Sequence, residues 1–146
     1  MPKAFAFRLE KLLELRRVRE DAARRELALA RKAVADQNRV IAGLLRDEDE
    51  GKRAMRPLRE KSIDVVQVRL HEGFLAGLER RIRREVARRQ ELATVETQKR
   101  IALVEARKGV RVLERFREKQ RLIHVKEIDA EERKFLDEVA QRTAAE

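Results

Sequence analysis

The chain consists almost entirely of charged, helix-forming sequence with a single interruption near its middle. Pro57 stands in that interruption, and helix formers occupy the chain on both sides of it. Proline lacks the backbone N–H that a helix interior uses, and it disfavours the helical conformation of the residue before it, here Arg56. The pattern therefore predicts an all-α protein with helices at about residues 5–53 and 64–142, joined by a loop at about 54–63.

The composition favours paired long helices over a globular core. Charged residues make up 44% of the chain and aromatic residues 3%, which is typical of coiled coils. A two-helix protein has little interior, because each helix buries one stripe at most. We therefore expect a single coiled-coil domain over residues 1–146, a two-helix antiparallel hairpin with a longer C-terminal helix. Its stability should depend strongly on partners.

Apolar residues recur in both halves with the heptad spacing of a coiled-coil seam. The first helix places them at Leu9, Leu13, Ala23, Leu27, Ala30, Val34, Ile41 and Leu44, and the second at Leu75, Leu78, Ile82, Leu92, Leu103, Ala106, Val110 and Leu113. Polar residues interrupt the stripes at Arg16, Glu20 and Gln37, and at Glu85, Arg89, Glu96 and Lys99. We interpret the interruptions in the first helix as weakening the seam and fixing its register.

Unequal helices leave part of the longer one without a partner. Folding at the break places Leu44 opposite about Phe74, and Leu9 opposite about Gly109. About 30 residues at the C-terminal end then extend beyond the first helix. The apolar residues along that extension are Phe116, Ile123, Ile128, Phe135, Leu136 and Val139. Such a stripe predicts a partner-binding surface, unless a second copy of the chain covers it.

The residues around the break favour helix capping and close helix packing. Ser62 or Asp64 is suited to cap the second helix. Gly73 and Gly77 have the small-xxx-small spacing of membrane helix dimers, but they lie among charged residues, which excludes that interpretation. We expect instead a close approach of two backbones near the bend, with Gly43 on the other side.

A net charge of +10 at pH 7 favours acidic partners. The densest basic cluster consists of Arg80, Arg81, Arg83, Arg84, Arg88 and Arg89. Contact with nucleic-acid phosphates is one interpretation of this cluster. No aromatic residue lies among the arginines to stack on bases, and neighbouring glutamates allow helical ion pairs. We therefore expect a solvated face or a protein contact, with the acidic run at residues 47–50 meeting part of the cluster across the hairpin.

No arrangement of residues predicts catalysis, a metal site, a cofactor or a bound small molecule. His71 and His124 lie far apart and on no metal-ligand spacing, so we interpret them as surface histidines. The sequence contains no cysteine and no glycine-rich phosphate loop. It also lacks the apolar run of a signal peptide and any stretch of about 18 apolar residues. We expect a non-enzymatic, cytoplasmic protein.

Three segments, in order along the chain, resemble the flagellar export protein family FliJ. Residues 5–16, FAFRLEKLLELR, resemble the start of the family's sequences. Residues 74–82, FLAGLERRI, resemble its aromatic-x-x-x-Leu-x-x-x-Ile segment after the central loop. Residues 131–140, EERKFLDEVA, resemble its acidic C-terminal end. The resemblance covers nearly the whole chain.

The resemblance implies a central stalk of the flagellar type III export ATPase, similar to part of a rotary ATPase gamma subunit. The termini would enter the channel of the hexameric ATPase, the bend would reach the membrane export gate, and export chaperones would also bind. The ATPase contacts it implies are Phe5, Phe7, Arg8, Lys11, Arg133, Lys134, Phe135 and Asp137, and the gate contacts are Leu44, Phe74 and Leu78. It further implies a cytoplasmic location, peripheral to the membrane at the flagellar base.

Other functions share this helical architecture. The stalk of a virulence injectisome would look nearly the same in sequence. A nucleic-acid-binding coiled coil would use the arginine cluster and bind with a steep salt dependence. A self-assembling structural rod would need no other protein. The expectation from the residues and the resemblance together is the export stalk, with no nucleic acid bound.

Overall fold

Two long helices make up nearly all of the computed structural model, which describes residues 3–60 and 64–145. Helix α1 spans Glu10–Glu60 (51 residues) and helix α2 spans Val65–Ala144 (80 residues). The described ranges contain no strand, which confirms the all-α prediction. No helix in them is apolar over a length sufficient to cross a membrane.

The first helix ends later than predicted. It continues past residue 53, through Pro57, to Glu60, so the loop expected from residue 54 is wrong over this stretch. Pro57 has no backbone N–H to donate to the carbonyl of Arg53, so the helix lacks that hydrogen bond. The position is near the C-terminal end of α1, where carbonyls lose their helical partners in any case. Burial of Met55, which is 4% exposed, offsets that loss. The remainder of the predicted loop, with Ser62, lies outside the described residues.

Asp64 caps the second helix. Its Oδ1 accepts a hydrogen bond from the backbone N–H of Val66 at 3.0 Å, and its carbonyl accepts one from Gln67 at 3.1 Å. These bonds satisfy N–H groups that the first turn of a helix leaves without partners. The structure thus confirms the capping role predicted for Asp64.

Contacts divide the chain into two compact units. The terminal unit comprises Met1–Ala23 with Leu103–Glu146, and the central unit comprises Arg24–Ala102. The buried apolar residues are Leu13, Leu103 and Val110 in the terminal unit and Leu27, Ile41, Leu44, Met55 and Leu78 in the central unit. All of them except Met55 occupy predicted seam positions, so the heptad pattern identified the core of each unit.

Partners across the two helices run in opposite order. In the terminal unit Glu10 pairs with Arg117 at 3.0 Å, and Glu20 with Arg107 at 3.7 Å. The central unit shows the same order, from the Glu26–Lys99 pair at 3.0 Å to the Arg59–Glu72 pair at 3.6 Å. Within each unit, residue numbers on α2 fall as those on α1 rise, as expected for neighbouring helices of opposite direction.

The observed register differs from the expected one by a heptad. Gly109 lies against Arg16 rather than Leu9, because a Cβ at Gly109 would be 3.1 Å from Nη1 of Arg16. In the central unit Gly51, one heptad after Leu44, lies against Leu75 and Phe74. The continuation of α1 through its proline explains the shift, since a later helix end moves the turning point along the chain.

The structure does not show the close backbone approach predicted near the bend; instead, a side chain of α2 packs closely on another glycine of α1. A Cβ at Gly51 would lie 2.8 Å from Cδ2 of Leu75. Gly43 and Gly73 have no such neighbour within 4 Å, and Gly77 meets only Arg80 of its own helix. The prediction that Gly43 faces Gly73 and Gly77 is therefore wrong. Gly51 is the position where the absence of a side chain makes room for the Leu75 side chain of the other helix.

Candidate functional surfaces

Several of the polar residues that interrupt the seam meet polar partners on the other helix. Gln37, 7% exposed, donates from Nε2 to the backbone carbonyl of Glu85 at 2.9 Å and also to the Glu85 carboxylate. Arg31 lies 3.7 Å from Glu96, whose side chain is 18% exposed. A buried polar residue costs free energy unless its partner is in place, so these contacts select one register.

The N-terminal segment, residues 3–9, packs on α2 without forming helix. The ring centroids of Phe5 and His124 are 5.7 Å apart, and those of Phe7 and Phe116 are 5.8 Å apart. Nε2 of His124 lies 2.9 Å from the carbonyl oxygen of Lys3. A non-helical chain spans up to about 3.3 Å per residue against 1.5 Å in a helix, which lets this short segment reach His124.

This packing revises two expectations. The first helix begins at Glu10, not near residue 5. His124 is half-buried beneath the N-terminal segment, and His71 is half-buried as well, so neither is a plain surface histidine. A groove of about 440 Å³ beside the segment is lined by Ala6, Phe7, Arg8, Leu9, Phe116 and Gln120.

The uncovered end of α2 is shorter than predicted. The N-terminal segment contacts Phe116 and His124, so the surface without a partner starts after Ile128. From residue 129 to 145 every side chain is exposed, with Phe135 at 65% and Leu136 at 64%.

The residues predicted at the ATPase therefore fall into two groups within the terminal unit. Phe5 and Phe7 are half-buried against α2, while Arg8 and Lys11 beside them are exposed. The exposed end of α2 carries Arg133, Lys134, Phe135 and Asp137.

The residues predicted at the export gate do not share one environment. Leu44 and Leu78 are 6% and 8% exposed and belong to the core of the central unit. Phe74 is 57% exposed and lies beside Gly51. Sequence reasoning missed Val66 and Leu70, which are 63% and 69% exposed. The signal available in the sequence was their spacing: Val66, Leu70 and Phe74 follow one another at intervals of four residues, which places them on one side of a helix.

The acidic run at residues 47–50 does not meet the arginine cluster. Glu48 pairs with Lys52, and Asp49 pairs with Arg53 at 3.1 Å, all on α1. The six arginines of the cluster are exposed. The expected contact across the hairpin is therefore wrong, and the cluster's positive charge is left unneutralised on that side.

Two ion pairs, each within a single helix, shift the pKa of at least one member. The hydrogen bond from Arg121, aided by its charge, lowers the pKa of Glu118 below 4.5. The hydrogen bond to Glu48, with that carboxylate's charge, raises the pKa of Lys52 above 10.5. Within residues 3–60 and 64–145, His, Asp and Glu form no group of three that could hold a metal ion.

Comparison with known proteins identifies the family. No curated protein and no solved structure matches the chain. The family model described as "Flagellar FliJ protein" matches residues 5–146, essentially the whole chain, which confirms the resemblance seen in the sequence. Members of this family are non-catalytic components related to flagellar type III export. The chain therefore belongs to the flagellar FliJ family.

Proposed function

We propose that this protein is the non-enzymatic central stalk of the flagellar type III export ATPase complex. In this role it promotes assembly of the hexameric ATPase ring and couples the ring to the membrane export gate. The observation that carries the proposal is the structure of the terminal unit, which holds both ends of the chain and presents residues 129–144 as a fully exposed helix.

The exposed end of α2 has the chemistry of a surface awaiting a protein partner. Phe135 and Leu136 leave about two-thirds of their side chains in water. Fully burying one such side chain contributes about 1.5–3 kcal/mol. Arg133, Lys134 and Asp137 on the same stretch offer charges of both signs for ion pairs. We assign this helix to the inner wall of the ATPase ring.

The N-terminal segment extends the same surface. Phe5 and Phe7 hold the segment on α2, and this leaves Arg8 and Lys11 exposed. Two exposed cations suit an acidic rim at the entrance to the ring. The role we assign to the two phenylalanines is therefore to position the segment, with part of each ring remaining available to the ATPase.

The coupling mechanism follows from symmetry. A single asymmetric chain in a six-fold ring contacts the six subunits unequally. Unequal contacts favour different conformations in different subunits, and the effect cannot exceed the difference in contact free energy. The stalk thus stabilises the assembled ring and makes the state of each subunit depend on its contact with the stalk.

At the other functional region, we propose that Phe74 contacts the cytoplasmic part of the export gate. The role we assign to Leu44 and Leu78 is indirect, because both are buried in the core of the unit that carries Phe74. We further propose that the two helices form an antiparallel coiled coil, which the opposite order of partners within each unit supports. Binding of export chaperones and a cytoplasmic location at the flagellar base complete the proposal. The family match favours the flagellar system over a virulence injectisome.

The test uses the purified export ATPase. Adding this protein should raise ATP turnover and the fraction of hexameric rings seen by light scattering. Leu136→Ser should require about tenfold more protein for half-maximal stimulation, as expected for a loss of about 1.4 kcal/mol. Leu29→Ser is the matched control, because Leu29 is 68% exposed and lies in the central unit. A wild-type protein that leaves both turnover and assembly unchanged would sink the proposal.

A further inference from the structure

One side of α2 carries a row of exposed apolar residues at the beginning of the helix. Val66, Leu70 and Phe74 follow one another at intervals of four residues and are 63%, 69% and 57% exposed. Residues four apart are neighbours on a helix surface. These side chains therefore form one apolar row at the start of α2, next to the interruption between the two helices.

The same side of the helix becomes basic further along. Val66 and Arg84 are separated by about five full turns of an α-helix, as are Leu70 and Arg88, so each pair lies on the same side of α2. Arg80 precedes Arg84 by one turn and belongs to the same row. We call the surface formed by Val66, Leu70, Phe74, Arg80, Arg84 and Arg88 the outer face. All of its residues are exposed.

The acidic residues of this stretch are directed towards α1. Glu72 pairs with Arg59 at 3.6 Å. Glu85 accepts the hydrogen bond from Gln37. Glu79 lines a groove between the helices together with Lys52 and Met55.

These three glutamates are the only acidic residues between Val65 and Arg88 in the sequence. Glu72, Glu79 and Glu85 thus all have neighbours on α1, although Glu85 and Glu91 also line a groove with Arg84 and Arg88. Arg80, Arg84 and Arg88 are exposed and form no ion pair with any described residue, so their guanidinium groups remain available to an external anion.

We propose that the outer face docks on the surface of a lipid bilayer that contains anionic phospholipids. A bilayer is layered, with hydrocarbon beneath a plane of phosphates, and the outer face has a matching order along the helix. From Val66 to Arg84 is about 27 Å of helix, and a tilt of about 15–20° lowers the apolar end by roughly 5–10 Å. That is the depth to which interfacial helices bury their apolar side. Arg80, Arg84 and Arg88 then lie near the phosphates.

A nucleic acid fits this face less well. Duplex phosphates would satisfy the arginines, but a duplex has no apolar layer to receive Val66 and Leu70. An acidic protein would likewise attract the arginines without a defined place for the apolar row. The combination of an apolar row and a basic row on one side of one helix is what selects the bilayer. The proposal shares Phe74 with the proposed gate contact, but it uses no residue of the terminal unit and so does not depend on the proposed ATPase contacts.

The experiment measures co-sedimentation of the full-length protein with phosphatidylcholine vesicles that contain or lack phosphatidylglycerol. We expect binding only with phosphatidylglycerol. Replacing Arg80, Arg84 and Arg88 by Gln should weaken it by about a hundredfold, at about fivefold per arginine near an anionic surface. The matched control replaces Arg111, Arg115 and Lys119 by Gln, which removes the same charge at the same spacing from the terminal unit. Equal losses in the two variants would overturn the proposal, because they would mean unspecific attraction.

A second measurement separates docking of the apolar row from charge attraction alone. The chain has no cysteine, so Leu70→Cys or Leu29→Cys accepts a single polarity-sensitive fluorophore. Phosphatidylglycerol vesicles should shift the emission of the probe at position 70 to shorter wavelength and leave the probe at position 29 unchanged. An unshifted probe at position 70, or tighter binding to a duplex oligonucleotide than to the vesicles, would refute lipid docking. Circular dichroism confirms that each variant keeps its helices.

Discussion

Gln37 of α1 donates a hydrogen bond to the backbone carbonyl of Glu85 of α2, 2.9 Å away. Both residues interrupt an otherwise apolar stripe in their own helix. A polar side chain without a partner is unfavourable in an apolar seam. The structure places these two polar residues against each other, so that they form a hydrogen bond. The relationship explains how a chain of such uniform composition selects one alignment of its helices.

A double-mutant cycle measures this relationship. Gln37→Leu alone leaves the half-buried Glu85 without its amide partner and should cost about 1–3 kcal/mol. Gln37→Leu combined with Glu85→Leu should cost less than the sum of the single changes, because an apolar pair replaces a polar one. Urea unfolding followed by circular dichroism gives the four free energies. The exposed Arg39–Asp36 pair, treated in the same way, should show a coupling close to zero. Additive effects at Gln37 and Glu85 would contradict the register role.

The glycines provide a second test. Gly43 has open space where a Cβ would be, so Gly43→Ala should stabilise the protein by about 0.5–1 kcal/mol through helix propensity. Gly51→Ala should stabilise the protein less than Gly43→Ala does, or destabilise it, since its Cβ would lie 2.8 Å from Cδ2 of Leu75. Thermal unfolding of the two variants decides the matter. Equal stabilisation by both would mean that the Leu75 side chain does not pack closely on Gly51.

The docking of the N-terminal segment should be separable from global stability. Phe7→Ala removes a ring pair worth about 0.5–1.5 kcal/mol beyond its buried area, and it should release the segment. Trypsin should cleave after Arg8 several-fold faster in limited proteolysis, while cleavage within the central unit keeps its rate. Phe116→Ala should have the same local effect. Phe74→Ala, which changes an exposed ring in the central unit, should leave residues 3–9 unaffected. An unchanged rate of cleavage after Arg8 in Phe7→Ala would show that the ring pair does not hold the segment.

The Glu118–Arg121 pair predicts a defined titration. Arg121 donates to Glu118 at 2.7 Å and 3.1 Å, and this lowers the carboxyl's pKa below 4.5. A lowered folded-state pKa stabilises the fold above the unfolded pKa, and that contribution disappears as pH falls through the folded value. Carboxyl-detected NMR should find the pKa of Glu118 rising towards 4.5 in Arg121→Gln. Lys119→Gln should move it much less, and equal shifts in both variants would be inconsistent with the hydrogen bond as the cause.

The heptad pattern predicted the two helices and their buried residues, because apolar spacing determines which stripe of a helix leaves water. Leu13, Leu27 and Val110 are buried where that spacing places them. The end of α1 was not predictable in this way. The low helix propensity of Pro57 predicts a break in the helix. The burial of Met55 stabilises the helix by more than the proline destabilises it.

The remaining differences follow from interactions between residues distant in sequence. The register depends on where α1 ends, so the error at Pro57 became an error of one heptad at Gly109. Composition alone predicts helix for the N-terminal segment, because its residues allow helix. Its preference for α2 arises from Phe116 and His124, more than a hundred residues away in the sequence.

The polar contacts within each unit also have a mechanical consequence. Sliding one helix along the other by a heptad would separate Glu20 from Arg107 and Gln37 from Glu85, and would bring apolar side chains against the charges left behind. In a purely apolar seam the same displacement would replace one leucine contact by another of similar energy. Such a seam would therefore slide under a sustained force. Seams with these polar contacts resist shear along the helix axis, so that a longitudinal force applied to one helix is passed to its neighbour.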